Sequence, residues 1–175
     1  MEIDAGRSNP ERPTRSEVVP RLPKWLVRVV RALVPPELGS EIAARAAIDN
    51  VPSAEVVRNL VRLAEGLELA RLALENNPIH VTSGYRSARL NQMVGGSKNS
   101  MHIQGLAADI LCPAFGPPLE VCRAIAKSGI AADQIIHEFG HWCHVAFPGP
   151  GQTARKELLT IRTLGTGAEL GLRGA

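Results

Sequence analysis

Between Ser53 and Leu74 the apolar side chains Val56, Leu60, Leu63, Leu67, Ala70 and Leu74 recur at spacings of 4, 3, 4, 3 and 4. A helix puts such positions on one face. Ser53 offers a side-chain oxygen to the first turn, and Asn76-Asn77-Pro78 stops the run. A helix with a single apolar stripe must bury it, and the chain beyond Pro78 is mostly short strands. Ile79–Ser83, Leu106–Leu111, Gln134–Phe139 and Trp142–Phe147 read as strands, the last two joined around Gly140 as a hairpin. Shorter helices are expected over Ser87–Val94, broken by Gly95-Gly96, and from about Leu119 to Ser128, with Gly129 as the C′ residue. The class is α+β: a small antiparallel sheet with helices packed on it.

The chain has 175 residues, 45% of them apolar and 21% charged, which suits one globular domain with a modest extension. No stretch of about 18 apolar residues is free of charge, so a transmembrane segment is not expected. Cys112, Cys122 and Cys143 are an odd number without close spacing, which argues against a disulfide framework or an all-cysteine zinc knuckle. Residues 1–36 carry seven basic and four acidic side chains, whereas the remainder balances at thirteen of each. The basic pI of about 9.0 therefore belongs to the N-terminal segment. A neutral domain with 3% aromatics has neither the charge footprint nor the stacking platform of a nucleic-acid binder.

The chain divides into three parts. Residues 1–36 form a basic arm rich in proline and arginine, with a short amphipathic helix at Trp25–Val34 whose Trp25, Val29 and Leu33 share a face. That face packs on the domain or, as the alternative, anchors the chain at a membrane or wall surface. The domain proper occupies residues 37–165, and residues 166–175 form a tail. No secretory signal is visible, so synthesis in the cytoplasm is expected, and the domain is expected to be a monomer.

Three of the five histidines, His137, His141 and His144, fall within eight residues. Read locally, His137-Glu138-Phe139-Gly140-His141 matches H-E-x-x-H, in which two histidines on one helical face bind zinc beside a glutamate base. The segment resists a helix: Ile135 and Ile136 precede it, Gly140 interrupts it, and Trp142, Val145 and Phe147 come after it with strand-like alternation. Read as a dispersed site, His144 on its strand needs partners from elsewhere. Asp109 lies in the otherwise apolar run Leu106–Leu111, where a lone buried carboxylate costs several kcal/mol unless it is paired or metal-bound. His102 precedes Gly105, whose flexibility lets the loop return it toward Asp109. Two histidines and one aspartate make three N/O ligands and leave a fourth position open for water, the pattern of a hydrolytic zinc site. Strand alternation points Cys143 away from His144, into the core.

Ser83-Gly84-Tyr85-Arg86-Ser87, then Gly95-Gly96-Ser97-x-x-Ser100-x-His102-x-x-Gly105-x-Ala107-Ala108-Asp109, then Glu138-Phe139-Gly140-x-Trp142-x-His144-Val145, resemble the zinc D-alanyl-D-alanine carboxypeptidase family. These peptidoglycan peptidases share a fold with the Hedgehog signalling domain and include bacterial wall enzymes and phage lysins. The resemblance runs from about Ala43 to Phe147 with the three motifs in order. It implies a Hedgehog/DD-peptidase-like fold, a Zn2+ cofactor held by His102, Asp109 and His144, and Arg86 on the substrate or developing oxyanion. It also implies peptidoglycan stem peptides as substrate, met at the cell wall after release. Relatives place the base carboxylate three residues before the last zinc histidine, and here that residue is His141. Glu138, in the Glu-Phe-Gly segment familiar from the phage-type branch, is the nearest carboxylate. Glu138 is read as the base, with His141 as second choice or as transition-state stabiliser. The alternatives are a non-catalytic wall- or metal-binding module on the same fold, and the local H-E-x-x-H protease.

Overall fold

The computed structural model describes Val29, Leu33 and residues 48–174. The expected arm at residues 1–24 lies outside the described residues. Of the expected amphipathic helix only Val29 and Leu33 are described. Both are helical, Leu33 is fully buried, and Val29 packs on the core.

Among the described residues three further helices form, α1 (Ala54–Ala73), α2 (Ala88–Met93) and α3 (Pro118–Lys127). In α1 the Ser53 hydroxyl accepts from the Val56 N–H, as the first turn requires. Its stripe Leu60, Leu63, Leu67, Ala70 enters the core, each leucine contributing about 1.5–3 kcal/mol of burial. Pro118 opens α3 at a position where no N–H is needed, and Gly129 lies just past its end at φ +79°.

Among the described residues six strands accompany these helices: β1 (His80–Ser83), β2 (Ala107–Leu111), β3 (Gln134–Glu138), β4 (Trp142–Ala146), β5 (Glu157–Ile161) and β6 (Glu169–Leu170). They lie in one sheet in the order β1-β2-β4-β3-β5-β6. The α+β class holds, but the sheet is mixed and not wholly antiparallel, because β3 and β5 pair in parallel. The described part of the expected tail, residues 166–174, contains a strand, since β6 pairs with β5 and Gly171 N–H donates to the Leu158 carbonyl. Neither strand shows in the local pattern. Glu157-Leu158-Leu159-Thr160-Ile161 takes its shape from a partner over twenty residues away.

Register decides which side chains share a face. Asp109 pairs with His144, His144 with Ile136, and Ile136 with Leu159, so these four form a row across one face. Ile110, Cys143, Val145 and Ile135 point to the opposite face and join the core, which α3 and α1 cover. Helices thus close one face of the sheet, and the polar row lies on the other.

Candidate metal centre

The three dispersed residues meet. His102 Nε2 lies 3.2 Å from Asp109 Oδ1, His144 Nδ1 lies 2.9 Å from the same oxygen, and the two nitrogens are 3.2 Å apart. All three side chains are buried. The β2–β4 pairing sets Asp109 beside His144, while His102 comes from the turn at residues 101–105. Gly105 bends that turn at φ +70°, where an added Cβ would meet the Val56 side chain at 2.9 Å, and Asn59 on α1 donates to the Gln104 carbonyl at 2.9 Å. A bulge between Val81 and Ser83 redirects the end of β1 so that Gly84 meets the same turn. The Gly84 carbonyl accepts from His102 Nδ1 at 2.7 Å, and Arg86 N–H donates to the His102 carbonyl at 3.3 Å. A carbonyl only accepts, so the His102 proton resides on Nδ1 and the Nε2 lone pair faces Asp109 and His144.

Burial by itself would raise the Asp109 carboxyl, but the neighbouring His102 and His144 imidazoles hold it well below the usual carboxylate range. Burial lowers the His102 imidazole and keeps it neutral. A deprotonated carboxylate and a neutral imidazole are the forms in which these groups ligate metal. A tetrahedral zinc ion with bonds of about 2.0–2.1 Å has donor–donor edges of about 3.3–3.4 Å. The observed separations of 2.9–3.2 Å fall close to those edges, and the Gly84 carbonyl behind His102 fixes its tautomer. The donor set fits a zinc ion.

The trio opens into a cleft of about 1300 Å³ whose lining includes Arg86, Glu138, His141 and Trp142. Arg86 Nη2 stands 3.8 Å from Asp109 Oδ2, and its Nε is buried without a hydrogen-bond partner. Burial lowers the guanidinium from its ordinary value, opposed by the negative charges of Asp109 and Glu138. Glu138 ends β3 opposite Trp142, which starts β4, and the Trp142 indole N–H donates to Glu138 Oε2 at 2.8 Å. Burial raises the Glu138 carboxyl above its ordinary value, and Asp109 adds to this against the pull of His144, Trp142 and Arg86.

His141 is exposed in the hairpin turn and is not one of the three converging donors. His137 faces the core, where its Nδ1 donates to the Arg173 carbonyl. The H-E-x-x-H segment is therefore the end of β3 and a turn, with Phe139 at φ +56° and Gly140 at φ +73°. No helical face joins its two histidines, which overturns the local protease reading. Cys143 lies buried on the core face, where burial and the neighbouring Cys122 push its thiol well above the usual value. Two contributors escaped the sequence reading: the Gly84 carbonyl and the Trp142 indole N–H. A carbonyl leaves no mark in residue type, whereas an indole two positions from a candidate ligand offered a weak signal.

A zinc D-Ala-D-Ala carboxypeptidase of Streptomyces albus G is 46% identical to this chain over 44 residues, which is 25% of this chain and 17% of that protein. This chain thus matches well under two thirds of that relative's length. A sequence model of the Peptidase M15 family matches far more, from residue 32 to residue 146. That span holds α1 to β4 and all three converging donors, and on its strength the chain belongs to the Peptidase M15 family.

Proposed function

We propose that this protein is a zinc metallopeptidase that hydrolyses peptide bonds in the stem peptides of bacterial peptidoglycan, in the manner of a D-Ala-D-Ala carboxypeptidase. The observation that carries the reading is the convergence of His102, Asp109 and His144 within 3.2 Å of one another on the wall of a cleft. The substrate class rests on the likeness to the Streptomyces albus G enzyme and on the motif resemblance. Action on the wall is a consequence of that substrate.

When bound, zinc supplies Lewis-acid chemistry that polarises a carbonyl and makes water acidic enough to ionise near neutral pH. The chain's own residues do the rest. His102, Asp109 and His144 hold the ion, with His102 oriented by Gly84. Glu138 accepts a proton from the attacking water and passes it to the leaving amine. Among the described residues the cleft is lined by two carboxylates, Asp109 and Glu138. Asp109 is engaged with both histidines, which leaves Glu138 for proton transfer. The raised Glu138 carboxyl moves toward the working pH, where a base is most effective. Arg86, on the cleft wall, offers the planar fork of its guanidinium to a carboxylate or developing oxyanion. His141, also on the cleft, is placed to stabilise charge beside it.

The test is mass spectrometry of muropeptides incubated with the zinc-loaded protein. Cleavage is expected to stop on chelation and return with added zinc, and full-rate cleavage by metal-stripped protein overturns the proposal. Glu138→Gln should lower kcat by roughly 10²–10⁴-fold with zinc content unchanged. A wild-type protein that binds muropeptides without cleaving them, and whose affinity survives Glu138→Gln, is instead a binding module.

A further inference from the structure

We propose that Trp142 is the positioning residue of Glu138: its indole N–H secures one carboxylate oxygen and thereby aims the other, with Phe139 wedging the indole in place. The inference rests on Glu138 being the base.

Three observations support it. First, Glu138 and Trp142 are directly opposed on β3 and β4, on the sheet face that carries Asp109 and His144. The Nε1–Oε2 distance of 2.8 Å is that of a charge-assisted hydrogen bond. An indole N–H is a donor only, and a backbone carbonyl would satisfy it equally well. Here it takes one of the cleft's two carboxylates instead.

Second, the turn between the two residues is built with strain. Phe139 adopts φ +56°, a left-handed conformation unfavourable for a bulky side chain, where glycine or asparagine fits without penalty. Such a residue persists where its surroundings over-determine it, and such residues cluster at functional sites. Phe139 is held from two sides. Its N–H donates to the Ile161 carbonyl at 2.7 Å, and its ring stands edge-on to Trp142, with centroids 5.4 Å apart and planes at 78°. The strained backbone thus delivers a ring that blocks rotation of the indole.

Third, a glutamate at the end of a strand has a free terminal torsion. Engaging Oε2 removes that freedom and designates Oε1 as the atom that takes the proton. The gain is orientation, which proton transfer needs.

Trp142→Phe keeps an aromatic ring against Phe139 and deletes only the indole donor. It is expected to lower kcat on the order of tenfold, with KM and zinc affinity unchanged. Introduced into Glu138→Gln it should cost nothing further, whereas a merely packing tryptophan would give an additive loss. Independently of turnover, the Trp142 indole resonance of the wild-type protein should move upfield in Glu138→Gln, where the charged acceptor is gone. If Trp142→Phe fails to fold, Phe139→Gly serves, because glycine suits φ +56°. It should show the same loss in kcat at unchanged KM. Full activity in Trp142→Phe beside an inactive Glu138→Gln overturns this inference and leaves the role of Glu138 standing. An active Glu138→Gln overturns both.

Discussion

Gly84 illustrates how much one residue without a side chain can determine. Its backbone carbonyl is the acceptor that orients His102, and a Cβ at this position would collide with the Leu33 carbonyl, the same group that accepts the Tyr85 N–H at 2.8 Å. Gly84→Ala should therefore destabilise the fold by about 1–3 kcal/mol through overpacking. It should also weaken zinc binding, because the backbone shift that relieves the clash moves the carbonyl that orients His102. Urea unfolding and competition with a chromophoric chelator measure the two effects, and unaltered zinc affinity would show that the clash is relieved without moving that carbonyl. At this scale the sequence was informative where a residue type carries its own demand. Asp109 in an apolar strand required partners, and histidines were the suitable ones. Gly84 carried no such demand, because glycine marks turns and close approaches alike.

Among elements, β3 and β5 run parallel, so no hairpin sets their register. An ion pair at the start of the pairing supplies that constraint. Asp133, just before β3, accepts from the Arg155 backbone at 3.0 Å and from Arg155 Nη2 at 2.6 Å, and its own carbonyl accepts from Glu157 N–H. These Arg155 hydrogen bonds hold the Asp133 carboxyl below its ordinary 3.8, against the effect of burial. A depressed carboxyl stabilises the fold above its unfolded pKa, and that contribution fades as pH falls through the lower folded value. Asp133→Asn should thus be less stable than wild type at pH 7, by about 1 kcal/mol because Arg155 is half exposed. The gap should narrow as pH drops below 3.8. Denaturant melts at pH 7 and pH 3 test this, and a gap independent of pH would assign the loss to shape and not to charge.

On the scale of the whole molecule, Gly171 and Arg173 near the end of the described residues complete the core face of the sheet. Thr160 Oγ1 donates to the Gly171 carbonyl and accepts from Arg173 N–H, while buried His137 donates to the Arg173 carbonyl. Removing residues 166–175 leaves His137 and Thr160 without these partners, at a cost of about 1–3 kcal/mol for each group. Thermal unfolding of the shortened chain should show a lower Tm, and an unchanged Tm would make the segment a passive tail. The family match stops at residue 146, so β5, β6 and the turn between them, which lines the cleft at residues 162–168, belong to the part of this chain beyond it.

Local spacing was enough to mark α1, α2, α3 and the first four strands, because helix and strand periods are written in neighbouring residues. Residue type in its local setting was enough, too, to bring His102, Asp109 and His144 forward as one candidate ligand set, whereas Arg86 and Glu138 entered through the family resemblance. Tertiary structure alone decided that His137 serves the core while Glu138 lines the cleft, and that β5 joins the sheet in parallel. The reason is physical: strand register and facing are set by pairing energies between segments remote in sequence, and a shift of one residue would exchange every inward and outward side chain.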